Sequence, residues 1–384
     1  MTLQTNPSKN SSSRAGLYIH IPFCVKKCSY CAFYSSTALS RVPDFLEALF
    51  KEMEIARQKF GPFDTVYLGG GTPSILRPPQ LREIMKRVRS HFDLQPGAEI
   101  TLEANPGDLD GLFLQELAAM GFNRLNLGVQ SFDGKVLQFL GRGHSAEEAV
   151  SAVKQSRRAG FHNLGLDLIC GIPDQSMESW LTSLARAVAL GPEHLSCYQL
   201  SVEKNTPLEN EFASGKFAFP GEDRQYEFFM KTAEFLEKAG YLQYEVSNFA
   251  RGKEYFSRHN QKYWDHTPYL GLGPTAHSFL GGQRWWNYST LPQYLAAIQQ
   301  GRFPIQGTEI LTRKQLLLEA IFLGLRTRKG IHLKDLLEEH KYDLLAEKKA
   351  LVARLRQERL LTLENDHLYP TLAGLAVADR LALI

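Results

Sequence analysis

Six short runs of β-branched and aliphatic residues divide the first half of the chain into regular segments, each typical of a buried strand. They are LYIHIPF (17–23), TVYLGG (65–70), EITLEAN (99–105), RLNLGVQ (124–130), NLGLDLI (163–169) and HLSCYQLSV (194–202). Elsewhere apolar residues recur every three or four positions, which predicts helices at 42–58, 80–92, 146–159 and 177–190. Strands that alternate with helices predict a parallel sheet.

A faint internal repeat supports this order of elements. The segments AMGFNRLNL (119–127), RAGFHNLGL (158–166) and KAGYLQYEV (238–246) each combine a helix end, a capping glycine, an aromatic residue and a strand-like run. Gly121 and Gly160 are 39 residues apart, and Gly160 and Gly240 are 80 apart, close to two further steps. We therefore predict an α/β fold, a partial (β/α)6 barrel of the TIM type, with its chemistry at the carboxyl ends of the strands.

The pattern changes near position 301. Helical patterns at 313–325, 333–345 and 346–359 lead into LLTLENDHLYPT, which predicts two short strands around an Asn-Asp turn, and then into a last helix. We interpret residues 301–384 as a small α+β, winged-helix-like domain. Residues 312–384 contain 13 Lys and Arg against 10 Asp and Glu, which is too mild a charge for a DNA-binding module. A capping or docking role is the better interpretation.

Composition narrows the class of protein. The 384 residues carry 44 basic and 41 acidic side chains, a formal charge of +3, which argues against a nucleic-acid partner. No apolar run reaches the ~18 to 20 residues that cross a bilayer, so we expect a cytoplasmic protein, at most peripherally bound to a membrane. Residues 1–14 have almost no apolar content and predict a disordered leader, which leaves 15–300 for the main domain.

Three of the five cysteines, Cys24, Cys28 and Cys31, form a CxxxCxxC pattern at the end of the first predicted strand. Thiolates at this spacing can converge on one metal centre when the loop curls around it. A zinc site with His20 as fourth ligand is one option, although structural zinc sites usually use cysteine pairs in two separate halves. An iron-sulfur cluster with one iron free of protein ligands fits better.

The same residues carry a family resemblance. CxxxCxxC with Tyr30 before its last cysteine resembles the radical S-adenosylmethionine superfamily. YIHIPFC, GGGTPS, TLEANP, GVQSF and DLICGIP together resemble the branch of coproporphyrinogen dehydrogenases and HemW-like heme chaperones, over almost the whole chain from about residue 16. The resemblance implies a [4Fe-4S] cluster on the three cysteines and S-adenosylmethionine on the open iron.

The resemblance also implies roles for individual residues. Tyr18 and Tyr30 would flank the cluster and its ligand, while the loop of Gly70, Gly71 and Thr72 would cradle the methionine part. The side chains that would hold its carboxylate, ribose or neighbouring groups are Glu103, Gln130, Arg142 and Asp167. Without the family, GGGTPS is more often a turn, and carboxylates within apolar strands need a salt bridge or a ligand. Arg142 is a candidate for that salt bridge.

Two features separate the members of this branch. The oxidases have a fourth cysteine two residues after the third, where this chain has Phe33. RHNQKYW (258–264) matches the HNxxYW motif of the heme chaperones, which implies His259 as a heme ligand and Tyr263 and Trp264 as walls of a heme pocket. Without the motif, a histidine beside aromatic residues is most often a packed one.

We therefore expect a heme chaperone that binds a [4Fe-4S] cluster, S-adenosylmethionine and heme, and delivers heme to respiratory-chain proteins at the membrane. The alternative is an oxygen-independent coproporphyrinogen III oxidase, which would use a radical from S-adenosylmethionine for oxidative decarboxylation. A tRNA-modifying enzyme is a distant third, because the charge is nearly neutral. The sequence leaves open whether S-adenosylmethionine is cleaved, and it is compatible with a homodimer.

Overall fold

The computed structural model describes residues 14–57 and 60–381. Positions 1–13 of the predicted leader, and the end of the helix predicted at 42–58, therefore lie outside the described residues. The strands are β1 Ala15–Ile21, β2 Phe63–Gly70, β3 Leu94–Ala104, β4 Arg124–Gln130, β5 Leu164–Cys170, β6 His194–Gln199, β7 Leu242–Gln243, β8 Asn248–Ala250, β9 Tyr269–Leu272, β10 His277–Leu280, β11 Gln283–Asn287, β12 Ile305–Ile310, β13 Ile331–His332, β14 Leu361–Glu364 and β15 His367–Pro370. The helices are α1 Val42–Ala56, α2 Pro78–His91, α3 Gly111–Ala119, α4 Gly134–Phe139, α5 Ala146–Arg158, α6 Met177–Ala189, α7 Pro207–Ala213, α8 Glu222–Lys238, α9 Arg258–Trp264, α10 Leu291–Gln299, α11 Arg313–Gly324, α12 Leu333–His340, α13 Leu344–Glu347, α14 Lys349–Gln357, α15 Leu372–Ala376 and α16 Ala378–Leu381.

The larger sheet has twelve strands in the order β12-β11-β10-β9-β1-β2-β3-β4-β5-β6-β8-β7. Strands β1 to β6 are parallel neighbours in chain order, which confirms the predicted partial (β/α)6 barrel. Strand β9 pairs parallel with β1, and β10, β11 and β12 continue the sheet as antiparallel strands. Between its two end strands the described sheet is open.

The two faces of the parallel strands differ in polarity, because successive side chains of a strand point to opposite sides. One face is apolar and packs against the helices. Ile19 and Leu68 on this face belong to the same apolar core as Leu49 of α1, and all three side chains are fully buried. The other face carries polar side chains into the barrel interior, where Tyr67 contacts Glu103 and Asn126 contacts Asp167. The polar interior is where the predicted site residues lie.

The repeated glycines are confirmed as left-handed helix caps, with φ of +91° at Gly121, +92° at Gly160 and +84° at Gly240. The third copy does not continue the barrel, although it also has a strand-like run after its glycine. The chain after Gly240 forms only the two residues of β7, which pair antiparallel with β8. The Tyr244 amide bonds the Asn248 carbonyl at 3.1 Å, and this tight turn reverses the chain before a longer strand forms.

The C-terminal segment has a three-stranded antiparallel sheet in the order β13-β15-β14 and an apolar core of its own. Asn365 and Asp366, at φ of +48° and +63°, form the predicted two-residue turn. The helix predicted at 333–345 ends at His340, because Lys341 adopts φ of +58°. Strand β12 lies beyond position 301 but pairs with β11. The domain boundary at 301 stays a prediction.

Glu52 of α1 ties this helix to the sheet extension. Its carboxylate is 1% exposed and accepts hydrogen bonds from the Gly273 amide (2.8 Å), Asn287 Nδ2 (2.6 Å) and the Tyr294 hydroxyl (2.7 Å). Glu52→Ala would leave the Gly273 amide and the Tyr294 hydroxyl without this acceptor, and Asn287 Nδ2 with only the Gly273 carbonyl. We therefore expect a loss of about 3 kcal/mol in the free energy of unfolding. Urea unfolding of the two proteins measures this difference.

Burial raises the pKa of Glu52 to about 7. Because the folded pKa lies above the ordinary value, the contribution of Glu52 to stability is complete at acidic pH and declines as the pH rises toward 7. Glu52→Gln should remove this part of the pH dependence, whereas Glu47→Gln, at an exposed carboxylate of the same helix, should leave it unchanged. An unaltered pH profile in Glu52→Gln would contradict the assignment.

Candidate functional site: the cysteine loop and the polar barrel interior

The cysteine loop follows directly from β1 and is closed at its base. The Cys24 amide bonds the Ser36 carbonyl at 3.1 Å, and the Ser36 amide bonds the Pro22 carbonyl at 2.8 Å. On its far side, the Leu208 amide of α7 donates to the Ser29 carbonyl at 3.0 Å. The loop therefore lies at the carboxyl ends of the parallel strands, where the fold prediction expected the chemistry.

All three cysteines of the loop are free thiols and half-buried. The Thr72 hydroxyl, after β2, lies 3.4 Å from Cys24 Sγ, and Arg142 Nη1 lies 3.5 Å from Cys28 Sγ. Burial raises the pKa of Cys31, and the neighbouring Cys28 and Cys24 raise it further. The three sulfur atoms thus share one region, and two of them face hydrogen-bond donors, from the loop after β2 and from the loop after α4.

The arrangement fits a cluster better than a zinc ion. His20 is 4% exposed, and its ring nitrogens lie 3.2 Å from the Tyr18 hydroxyl and 3.0 Å from the Tyr34 carbonyl, so it is not free as a fourth ligand. Within residues 14–57 and 60–381, no three His, Cys, Asp or Glu side chains are grouped to hold a single ion. In a [4Fe-4S] cluster each thiolate binds a different iron, which suits three thiols with separate contacts.

Two carboxyl groups face the barrel interior below the loop. Glu103 accepts hydrogen bonds from the Tyr67 hydroxyl (2.7 Å) and the Gly70 amide (3.2 Å), and burial raises its pKa to about 7. Asp167 accepts from Asn126 Nδ2 at 2.9 Å, and burial raises its pKa as well. Their hydrogen-bond partners are neutral, while Arg124 and Arg142 lower the pKa of Asp167 against the effect of burial. A cationic ligand in the barrel would favour the ionised form of both groups.

Arg142 does not form the salt bridge that the sequence suggested for these carboxylates. Its guanidinium donates to Asn105 Oδ1 (2.5 Å) and to the Gly128 carbonyl (3.0 Å), besides its contact with Cys28. Its Nε is buried and has no hydrogen-bond partner among the residues that the structure describes. Arg142 therefore links the cysteine loop to the ends of β3 and β4, with one donor left for a ligand.

The glycines after β2 allow the backbone to pass close to the cysteine loop. A Cβ at Gly71 would lie 2.5 Å from the Phe23 carbonyl oxygen. Gly70 has φ of +110°, and a Cβ there would lie 2.5 Å from His20 Nδ1. The amides of Gly71 and Thr72 donate to the Ile21 and Phe23 carbonyls at 2.9 and 2.7 Å. Side chains at these positions would push the two loops apart.

The other predicted ligand residues lie around this edge. Gln130 ends β4 with φ of +63°, and Tyr30 packs beside an apolar cluster with Leu200 and Leu208, with its pKa raised by burial. Tyr18 lies deeper, with its ring centre 6.2 Å from that of Tyr67. The structure thus brings together the predicted cluster and S-adenosylmethionine residues in one connected region.

Asn105 is a site residue that the sequence interpretation missed. Its side chain accepts from Arg142 and lies 3.4 Å from the Thr72 hydroxyl, so it connects the two groups that contact Cys24 and Cys28. A signal was present, because Asn105 follows Glu103 by two positions at the end of a strand and so shares its side.

The Thr72 hydroxyl gives a testable contact with the cluster site. Hydrogen bonds to cluster sulfurs help to set the reduction potential. We expect Thr72→Val, which removes the donor and keeps the side-chain shape, to make the potential more negative in an EPR-monitored redox titration. Thr101→Val, at a fully buried interior threonine, is the control. Equal potentials in Thr72→Val and the parent chain would show that the contact is not made to the cluster.

The HNxxYW motif forms α9 on a different side of the barrel interior. His259 is 1% exposed, with Nδ1 2.8 Å from the Thr65 hydroxyl and Nε2 2.9 Å from the Tyr263 hydroxyl. Its ring stacks on Tyr67 at 5.2 Å, and its amide donates to Glu99 at 3.1 Å. In this conformation neither imidazole nitrogen is free to bind iron.

A polar cavity of about 40 Å³ lies between α9 and the two carboxyl groups. Arg124 Nη2 and His194 Nδ1 are buried near it, and neither atom has a hydrogen-bond partner within residues 14–57 and 60–381. The lining residues are Tyr67, Glu103, Arg124, Asn126, Asp167, His194, Ser196, Tyr198, Ser257 and Asn260. The motif helix and the carboxyl layer therefore face one polar interior.

Comparisons with known proteins agree with this site. Residues 18–187 match the model of the radical SAM superfamily, and residues 311–377 match that of the HemN C-terminal domain. Heme chaperone HemW of Synechocystis is 37% identical over 325 residues, which cover 82% of this chain and 78% of that protein. HemW of Escherichia coli is 40% identical over 265 residues, 68% of this chain and 69% of that protein.

A solved structure extends the likeness to the whole fold. Coproporphyrinogen III oxidase HemN from Escherichia coli, a radical SAM enzyme, superimposes with a TM-score of 0.85 at 25% identity. The match covers 97% of this chain and 89% of that one. The superfamily implies a [4Fe-4S] cluster and S-adenosylmethionine as cofactors, in keeping with the thiols and carboxyl groups described above. On its sequence similarity, this chain belongs to the HemW family within the radical SAM superfamily.

Proposed function

We propose that this protein is a heme chaperone that binds a [4Fe-4S] cluster, S-adenosylmethionine and heme, and passes heme to other proteins. The observation that carries the proposal is the identity of 33% to 40% to proteins named heme chaperone HemW, over most of the chain. Phe33 supports it, because the oxidases of the branch have a cysteine there, whereas this aromatic ring is 69% exposed.

In this proposal Cys24, Cys28 and Cys31 hold the cluster, which supplies a one-electron centre with an open iron. Arg142 and Asn105 fix the loop against the strand ends. Glu103 and Asp167, whose direct hydrogen-bond partners are neutral, would face the positive groups of S-adenosylmethionine, which would favour the ionised carboxylates. The remaining contacts are proposed for Tyr18, Tyr30, Gly70, Gly71, Thr72 and Gln130.

The motif implies His259 as the ligand of heme iron, with Tyr263 and Trp264 as walls of the heme pocket. The observed position of His259 requires a change of conformation before iron can bind. Iron could reach Nε2 only if the Tyr263 hydroxyl gives up its hydrogen bond and α9 withdraws from the barrel. A neutral imidazole is the form that binds iron. Burial lowers the pKa of His259 to about 3 while α9 lies in the barrel, so the ring is neutral before the helix withdraws. Heme binding through His259 therefore requires a rearrangement of α9.

The oxidase function is the second candidate, since the whole fold matches that of HemN. An anaerobic incubation with coproporphyrinogen III, S-adenosylmethionine and a reductant distinguishes the two functions. We expect saturable hemin binding and no protoporphyrinogen by mass spectrometry. Protoporphyrinogen in excess of the protein would overturn the chaperone proposal.

Heme-receiving respiratory enzymes at the membrane are the proposed receivers, and the sequence is compatible with a homodimer. Among the described helices, none is long and apolar enough to cross a bilayer.

A further inference from the structure

A pair of histidines lies on the small C-terminal sheet, far along the chain from the site above. His332 of β13 and His367 of β15 are direct cross-strand partners. Their ring centres are 4.4 Å apart and their planes differ by 30°. Tyr369 stacks on His367 at 5.6 Å and 9°, which holds that ring in place. The two imidazoles are therefore side by side on one face of the sheet.

An oxygen atom lies beside Nδ1 in each of these rings. His367 Nδ1 is hydrogen-bonded to the Asn365 carbonyl oxygen at 3.1 Å, and His332 Nδ1 lies 2.8 Å from the Asp335 carboxylate. Both oxygens favour a proton on Nδ1, which leaves the lone pair on Nε2. Neither Nε2 has a hydrogen-bond partner among the described residues. The His332 side chain is 30% exposed, so solvent ions can reach it.

We propose that His332 and His367 together bind a divalent transition-metal ion through their Nε2 atoms, with Asp335 orienting His332. An acceptor on Nδ1 is the usual outer contact of a metal-binding histidine. Imidazole suits Zn²⁺, Ni²⁺ and Cu²⁺. With two protein ligands, water completes the coordination.

The ring spacing favours a bare ion over heme iron. Two imidazoles bound to one metal at ~2.0 to 2.1 Å from nitrogen to metal have ring centres about 4.5 Å apart at an N–metal–N angle of about 90°, the octahedral arrangement, and about 5.2 Å apart in a tetrahedral one. Two histidines on opposite faces of a heme stand much farther apart. The observed 4.4 Å matches the first arrangement, so the proposal is independent of the heme-chaperone function.

The test is a calorimetric Ni²⁺ titration of the full chain after anaerobic cluster reconstitution. We expect one saturable Ni²⁺ per chain, weakened at least about tenfold by His332→Ala or His367→Ala and by about tenfold in Asp335→Asn. His332→Gln, which keeps a polar side chain of similar size, should lose Ni²⁺ in the same way. His340→Ala, in the same small domain, is the matched control and should bind as the parent chain does.

Hemin titrations of the same variants separate this site from the heme site. We expect every variant to bind hemin with the same affinity as the parent chain. The proposal is overturned if the parent chain shows no saturable Ni²⁺ binding, or if both alanine variants bind Ni²⁺ as it does. Variants that lose hemin binding but keep Ni²⁺ binding would also overturn it.

Discussion

After anaerobic reconstitution with iron and sulfide, we expect the Cys31→Ala variant to lack the absorbance of a [4Fe-4S] cluster and to bind no S-adenosylmethionine. The reason is that each thiolate of the loop binds its own iron, so one missing thiolate leaves a second iron open. Cys24→Ala and Cys28→Ala should behave in the same way. Iron content, visible absorbance and calorimetry with S-adenosylmethionine measure the effect.

The matched controls are the two cysteines outside the loop. Cys170 and Cys197 are buried in the apolar core, at 2% and 8% exposure, and burial raises the pKa of Cys170 to about 12. Their alanine variants should keep a full cluster. A complete cluster in any one of the three loop variants would contradict the ligand assignment.

Gly71→Val should weaken S-adenosylmethionine binding by at least about tenfold. A Cβ at this position would lie 2.5 Å from the Phe23 carbonyl oxygen and 2.9 Å from that of Ile21, and these are backbone atoms that cannot turn away. The substitution must therefore move the β2 loop away from the cysteine loop.

Gly111→Val is the control for this change, because a Cβ at Gly111 would meet nothing within 4 Å. Calorimetry with S-adenosylmethionine compares both variants with the parent chain, and urea unfolding shows whether each is folded. Unaltered affinity in a folded Gly71→Val protein would mean that this loop does not contact the ligand.

Local sequence patterns were sufficient to predict the parallel half of the fold. The strands from β1 to β6 are buried on their helix-facing side, so runs such as RLNLGVQ have a clear apolar alternation. The cysteine loop and the GGGTPS loop follow the first two of these strands, and parallel strands bring their ends to one edge. These two facts were enough to predict that the site lies at one edge of the sheet.

The sheet extension was not predicted, although part of its signal was present. Gly281 and Gly282, at φ of +59° and +80°, join β10 to β11, and a Gly-Gly pair between short apolar runs is typical of a hairpin. The parallel pairing of β9 with β1 depends on residues more than 250 positions apart, which no local pattern indicates.

Contacts across long distances in the chain also decide the roles of single polar residues. Glu52 has the pattern of an ordinary helix residue, but it is buried because Asn287 and Tyr294 return to it from the extension. His259 has the motif of a heme ligand, but its hydrogen bond to Thr65 spans 194 positions. Such partners are set by tertiary packing, and the sequence pattern contains no trace of them.

The central claim is that the chain binds one heme through the α9 motif. The most direct measurement is an anaerobic hemin titration of the cluster-loaded chain, His259→Ala and Tyr263→Phe, followed by Soret absorbance. Tyr263→Phe removes the hydrogen bond that competes for Nε2, worth about 1 kcal/mol, so it should bind hemin up to about fivefold more tightly. The account predicts saturation near one heme per chain, with a weakened or shifted Soret band in His259→Ala. No saturable binding, or identical curves for His259→Ala and the parent chain, would contradict it.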